Sequence, residues 1–201
     1  MNEVWIRHCQ YTAMLQQALA SVSPEAMEKA FQILNSNIHL PLFTMGNGGS
    51  AAIADHFVCD YSKGLHTDGG IFYEWHGKAT SLCSNGPLIM AISNDIGYDR
   101  VFSEQLIYSR NEEGGTALAI SSSGNSKNIM NGIEAAKDCG YDVIALVGFD
   151  GGVVRRAHVA DVIIHVNYDN YGVVEDAHHI IMHSLTQQLR TLRCPDTKLK
   201  L

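Results

Sequence analysis

The sequence predicts an α/β protein built on a parallel sheet, and three features of the chain predict it. Short apolar or β-rich runs recur along its length, longer amphipathic segments separate them, and most of the runs are apolar almost without a break. Strands buried on both faces carry such runs, and helical crossovers between successive strands leave those strands parallel.

In chain order, residues 2 to 20 and 25 to 38 place apolar side chains at helical spacing, with Ser23 and Pro24 as the N-cap and first-turn signal of the second segment. Two helices therefore precede any strand. The strands follow at 41–45 (PLFTM), 79–83 (ATSLC), 116–121 (TALAIS), 142–148 (DVIALVG) and 161–166 (DVIIHV). Between the first two lies KGLHTDGGIFYEWHG, an irregular loop of a length usually kept for function or for contact with a neighbouring subunit. The last long segment, GVVEDAHHIIMHSLTQQLRTLR, is expected to be a helix with Ile180, Ile181, Leu185 and Leu189 on its apolar side. The tail CPDTKLKL is expected to fray.

A length of 201 residues suits one domain, 1–201: a helical extension over 1–38, a sheet-and-helix core over 39–193 and the tail over 194–201. Fourteen basic residues stand against 21 acidic ones with no basic run, which excludes the phosphate-neutralising surface of a nucleic-acid binder. No stretch approaches the roughly 18 apolar residues of a membrane span. Cys9, Cys59, Cys83, Cys139 and Cys194 form no C-x-x-C pair and are expected to be reduced, buried thiols of a cytoplasmic protein.

Two loops between a strand and a helix carry the chemistry. GNGGS (Gly46 to Ser50) offers close backbone approach, consecutive N–H groups and a helix N-terminus; SSSGNS (Ser121 to Ser126) adds four hydroxyls in an equivalent place. Together they suggest a phosphorylated ligand. GNGGSA also fits the dinucleotide fingerprint G-x-G-x-x-A, which expects an acidic residue at the end of the next strand to hold the ribose. That strand ends LCSNG, and the acids at suitable spacing, Asp68 and Glu74, precede it. This mismatch weighs against the dinucleotide reading.

His56 and Asp60 stand four apart on the helix leaving the first loop, on one face and close to the anion site. Glu175, Asp176, His178, His179 and His183 form a second dense group on the last helix. Imidazoles and carboxylates in these positions suit either a divalent metal or a general acid/base pair. Glu175 and His183 are separated by roughly 12 Å of rise on a continuous helix, too far for one ion unless the helix starts later or a second subunit contributes.

With two leading helices, GNGGSA, HFVCD, SNDIGYDRVFSEQL, ISSSGNS, VGFDGG and VEDAHHIIMH in this order, the chain resembles the sugar isomerase (SIS) fold, and specifically the sedoheptulose 7-phosphate isomerase (phosphoheptose isomerase) family. The resemblance covers most of the chain. It implies a three-layer fold with a five-stranded parallel sheet, a homotetramer with active sites between subunits, and often zinc. The implied reaction converts sedoheptulose 7-phosphate to D-glycero-D-manno-heptose 7-phosphate, the first step towards the ADP-heptose of bacterial lipopolysaccharide. Substrate contacts are implied at Asn47, Gly48, Gly49, Ser50, Asp60, Asn94, Asp95, Ser121, Ser122, Ser123, Ser126 and Glu175. The implied catalytic pair is Asp60 and His183; the implied metal ligands are His56, Asp60, Glu175 and His183.

Two residues depart from the family pattern: Asp60 stands where Glu is usual, and Glu175 where Gln is usual. The shorter Asp60 side chain draws the carboxylate back by roughly 1 Å, a displacement that can cost on the order of a hundredfold in rate. A competing expectation is therefore a non-catalytic SIS protein that senses a sugar phosphate or docks on a partner such as the replication initiator.

Overall fold

Side-chain caps start the helices much as the sequence suggests. In the computed structural model, which describes residues 2–65 and 78–193, Asn2 Oδ1 accepts from the Val4 N–H at 3.0 Å and Ser23 Oγ from the Ala26 N–H at 3.1 Å. These caps open α1 (Glu3–Ala20) and α2 (Pro24–Ser36). There follow β1 (Leu42–Gly46), α3 (Gly49–Gly64), β2 (Ala79–Ser81), α4 (Gly86–Asp95), a 3-10 turn (Tyr98–Arg100) and α5 (Ser103–Tyr108). The chain continues through β3 (Gly115–Ser121), α6 (Lys127–Asp138), β4 (Tyr141–Val147), α7 (Gly152–Arg156), β5 (Val162–His165) and α8 (Tyr171–Arg193). Residues 66–77 of the expected long loop, the acids Asp68 and Glu74 among them, and the whole tail 194–201 lie outside the described residues.

The five strands form one sheet in the order β2-β1-β3-β4-β5, parallel throughout. Every residue of β1 and β3 is buried, as continuous apolar runs require of strands covered on both faces. Two apolar layers do the covering. Leu34, Ile53, Phe57, Val173, Ile181 and Leu185 pack one face from α2, α3 and α8; Ile92, Phe102, Leu106, Ile129 and Ile133 pack the other, from α4 through α6. The structure is thus the expected three-layer α/β fold.

Two expectations about individual side chains are corrected. Ile180 is 38 % exposed, because the buried stripe of α8 runs through Val173, Val174, Ala177, Ile181, Leu185 and Leu189 and leaves Ile180 about 100° off it. Of the four cysteines described, all free, only Cys139 is buried; Cys9 and Cys59 are exposed, since α1 and α3 each turn that position to solvent. Among the described residues no helix is long and apolar enough to cross a membrane.

Asp161 ties the far edge of the sheet together. Its carboxylate takes Lys137 Nζ at 2.7 and 2.8 Å and the Val143 N–H at 2.7 Å, while Lys29 Nζ donates to its backbone carbonyl. Burial opposes its ionisation, but the Lys137 and Val143 hydrogen bonds and the charges of Lys137 and Lys29 outweigh burial and hold the carboxyl below its ordinary value. A depressed carboxyl adds stability above its unfolded pKa of about 3.9 and loses it as pH falls through the lower folded value. Asp161→Asn is therefore expected to cost about 1–2 kcal/mol at neutral pH, with the gap from the parent protein closing in acid; urea melts at pH 7 and pH 3 check both.

Candidate functional site

In the strand order β2-β1-β3-β4-β5, the chain passes outward in opposite directions from the pair β1 and β3. Loops leaving the carboxyl ends of such a pair diverge and open a crevice between them, which is where open α/β sheets bind ligands. GNGGS follows β1 and SSSGNS follows β3. The two loops, 75 residues apart in sequence from Gly46 to Ser121, thus become neighbours.

Gly48 caps α3 with φ +55°, a left-handed backbone that suits glycine, and gives the helix no side-chain cap. Ser126 caps α6 without a side-chain hydrogen bond to that helix either. Each N-terminus therefore presents first-turn N–H groups with no intrahelical partner. Between them lies a cavity of about 160 Å³ lined by Asn47, Ser50, Ser121, Ser122, Ser123 and Ser126, with Ile120, Tyr171 and Glu175 completing the wall. Ser122 Oγ is buried and has no hydrogen-bond partner. Leaving such a hydroxyl unsatisfied costs about 1–3 kcal/mol, and an anionic oxygen in the cavity would satisfy it.

Asn47 is locked in place. Its Oδ1 accepts from Tyr98 Oη and Asn128 Nδ2, and its Nδ2 donates to Asn128 Oδ1, each at 2.9 Å. Tyr98, Asn128 and Tyr171 were not among the expected site residues; Asn128, three positions beyond SSSGN, is the one the motif could have revealed. Asn94 and Asp95 behave otherwise. They end α4, exposed, with Asn94 Nδ2 donating to Asp95 Oδ1 at 2.7 Å, and neither lines the cavity.

The second group lies further along α3 and α8. α3 and α8 run side by side in one direction, so that Gly49 meets Glu175 while His56 and Asp60 meet His179 and His183. His56 Nδ1 is 2.6 Å from His179 Nε2, and the His56, His179 and His183 ring centroids are 4.7 to 5.0 Å apart. Asp60 sits against two of these rings, 3.5 Å from His56 Nε2 and 3.3 Å from His183 Nε2. Burial, and then the neighbouring His183 and His56, hold His179 below its ordinary pKa. Asp60 and His183 also line an adjoining cavity of about 230 Å³ that ends at Arg190.

The implied ligand set is not assembled within one chain. Glu175 lies at the Gly/Ser end, its carboxylate so close over Gly49 that a β-carbon there would overlap it. α8 is continuous from Tyr171 to Arg193, so the eight-residue separation from His183 stands at roughly 12 Å. Among the described residues, the His/Cys/Asp/Glu group placed to hold an ion is His56, His179 and His183, whose ligand atoms lie within 4.8 Å of one another. His178, next in sequence, is core: it is fully buried, and burial pushes its pKa down to about 4. Its ring nitrogens make no well-formed hydrogen bond, although the Val147 backbone partly offsets the burial.

Comparison with known proteins follows the same lines. The SIS domain family matches residues 9–148. A probable phosphoheptose isomerase of Thermoplasma acidophilum is 37% identical over 72% of this chain and 75% of its own length, and the phosphoheptose isomerase of Bordetella avium is 32% identical over 90% and 89%. Among solved structures, a phosphoheptose isomerase from Francisella tularensis superposes with a TM-score of 0.81 at 26% identity, covering 95% of this chain and 100% of that one.

Proposed function

Because the chain belongs to the SIS domain family and, within it, to the phosphoheptose isomerases, we propose that it interconverts sedoheptulose 7-phosphate and D-glycero-D-manno-heptose 7-phosphate through an enediolate, on the route to ADP-heptose and lipopolysaccharide. The observation that carries the reading is the packing of α3 along α8. An uncapped, hydroxyl-lined anion site stands at one end, and an acid/base pair stands two to three helical turns further along the same helices.

Ser122 Oγ, the neighbouring serines and the N-termini of α3 and α6 receive the phosphate. Glu175, a carboxylate, accepts from sugar hydroxyls beside them. Asp60 removes a proton from carbon 1 of the ketose and His183 delivers one to carbon 2, while the hydroxyl proton passes from oxygen 1 to oxygen 2. Asp60 then returns its proton to His183 across 3.3 Å. In the reverse direction the two exchange roles.

The residues that would hold a metal are the half-buried group around His56 and His183. A divalent ion such as zinc, when bound, polarises the carbonyl and stabilises the enediolate oxygen. The reading includes a homotetramer, supported by the apolar side chains left exposed at Trp5, Ile6, Met90, Ile107 and Leu192, and a cytoplasmic setting, supported by the four free cysteines.

Purified protein incubated with sedoheptulose 7-phosphate in deuterated water is expected to yield the aldose with deuterium at carbon 2, followed by NMR with zinc and with chelator. Binding of the sugar phosphate without conversion in either condition would overturn the isomerase reading and leave a sugar-phosphate sensor.

A further inference from the structure

We propose that His179 is a metal ligand, and that His56, His179 and His183 hold a divalent transition-metal ion within a single chain, leaving both Glu175 and the Asp60 carboxylate free of it. The proposal rests on the isomerase reading only for what the ion does there.

The three imidazoles come from two helices that pack side by side. His179 and His183 stand one turn apart on α8, on one face, and His56 faces both from α3. Their ligand atoms converge to within 4.8 Å of one another, and all three rings are half-buried, neither sealed in the core nor freely solvated. His56 Nδ1 and His179 Nε2 point at each other across 2.6 Å. Two neutral imidazoles can satisfy that contact only with a proton on one nitrogen and a lone pair on the other, and a ligand nitrogen of the third ring lies within 4.8 Å. A divalent cation accepts all three.

Three imidazoles with a position left open are a donor set of catalytic zinc, and imidazole also suits cobalt, nickel and copper. A position left open would be available to an oxygen of the substrate. Glu175 is spent at the opposite end, against Gly49 and the serine-lined cavity. Asp60 flanks the triangle at 3.3 and 3.5 Å from two of its rings, close enough to act on a carbon held beside it. With an ion held there, His183 would serve as a ligand in place of its role as the acid, and Asp60 would carry the proton in both directions.

The test is a metal titration read without any sugar. Chelator-stripped protein is titrated with Co²⁺, following the visible d–d bands, and with Zn²⁺ in competition; bound metal per chain is counted by mass spectrometry of the metal. The parent protein and Glu175→Gln are expected to bind one ion per chain with affinities within about threefold of one another. His179→Ala is expected to bind at least roughly tenfold more weakly. His179→Cys, which keeps a ligand atom, should restore binding and add a thiolate-to-cobalt charge-transfer band, a signature that mere packing at this position would not produce.

Unchanged affinity and spectrum in His179→Ala, or loss of the ion in Glu175→Gln, would overturn the proposal. So would His179→Cys binding without the charge-transfer band. An inactive protein that still shows this pattern would count against the isomerase reading alone, and an active one without it against this site alone.

Discussion

Asp60→Asn is expected to lower turnover about a thousandfold, the middle of the range for losing a positioned general base, while the affinity for the phosphate ester stays within about threefold. The amide has the shape of the carboxylate but cannot take a proton from carbon. Its surroundings favour a clean result. Asp60 is half-exposed on α3, and its contacts are with the two imidazoles of His56 and His183. The anion site is built from other residues, at the N-termini of α3 and α6. Steady-state kinetics for turnover and calorimetry with the sugar phosphate for affinity separate the two quantities. Turnover within tenfold of the parent protein would remove Asp60 from the mechanism, and a parallel loss of binding would mean that the substitution acts on the site as a whole.

Gly46→Ala is expected to lower kcat/KM on the order of a hundredfold and to destabilise the fold by about 1–3 kcal/mol. Gly46 ends β1, and a β-carbon there would lie against backbone, overlapping the Ser50 carbonyl group and the Ala51 nitrogen. No rotamer change relieves such a contact; the first turn of α3 must move. That turn carries the N–H groups and the Ser50 hydroxyl of the anion site, so the displacement reaches KM before it reaches the acid/base pair. A melting temperature lower by roughly 2–4 °C per kcal/mol and a rise in KM greater than the fall in kcat are the expected signs. A fall in kcat with KM unchanged would place the damage elsewhere.

Much of the architecture was legible because it depends on local chemistry. Ser23 and Pro24 begin a helix for reasons contained in four residues, and strands buried on both faces announce themselves as unbroken apolar runs. The positions of the Gly and Ser loops between strand and helix were legible for the same reason, since glycines and hydroxyls in sequence mark turns and helix starts. Errors fell where two neighbouring positions differ by 100° around a helix, as with Ile180 and Ile181; Asn94 and Asp95 end a helix without lining the cavity within one chain.

By itself the sequence determined the class of sheet, the two Gly- and Ser-rich loops, and which helices carry the histidines and carboxylates, because periodicity and turn chemistry are written into consecutive residues. Only the tertiary structure decided which of those groups share a site. The strand order sets β1 beside β3 and so joins two loops far apart in the chain. The parallel packing of α3 on α8 sets Glu175 over Gly49 and closes His56, His179 and His183 into a triangle beside Asp60. Those partnerships follow from the burial of apolar faces across the whole domain, and no spacing within a single helix contains them.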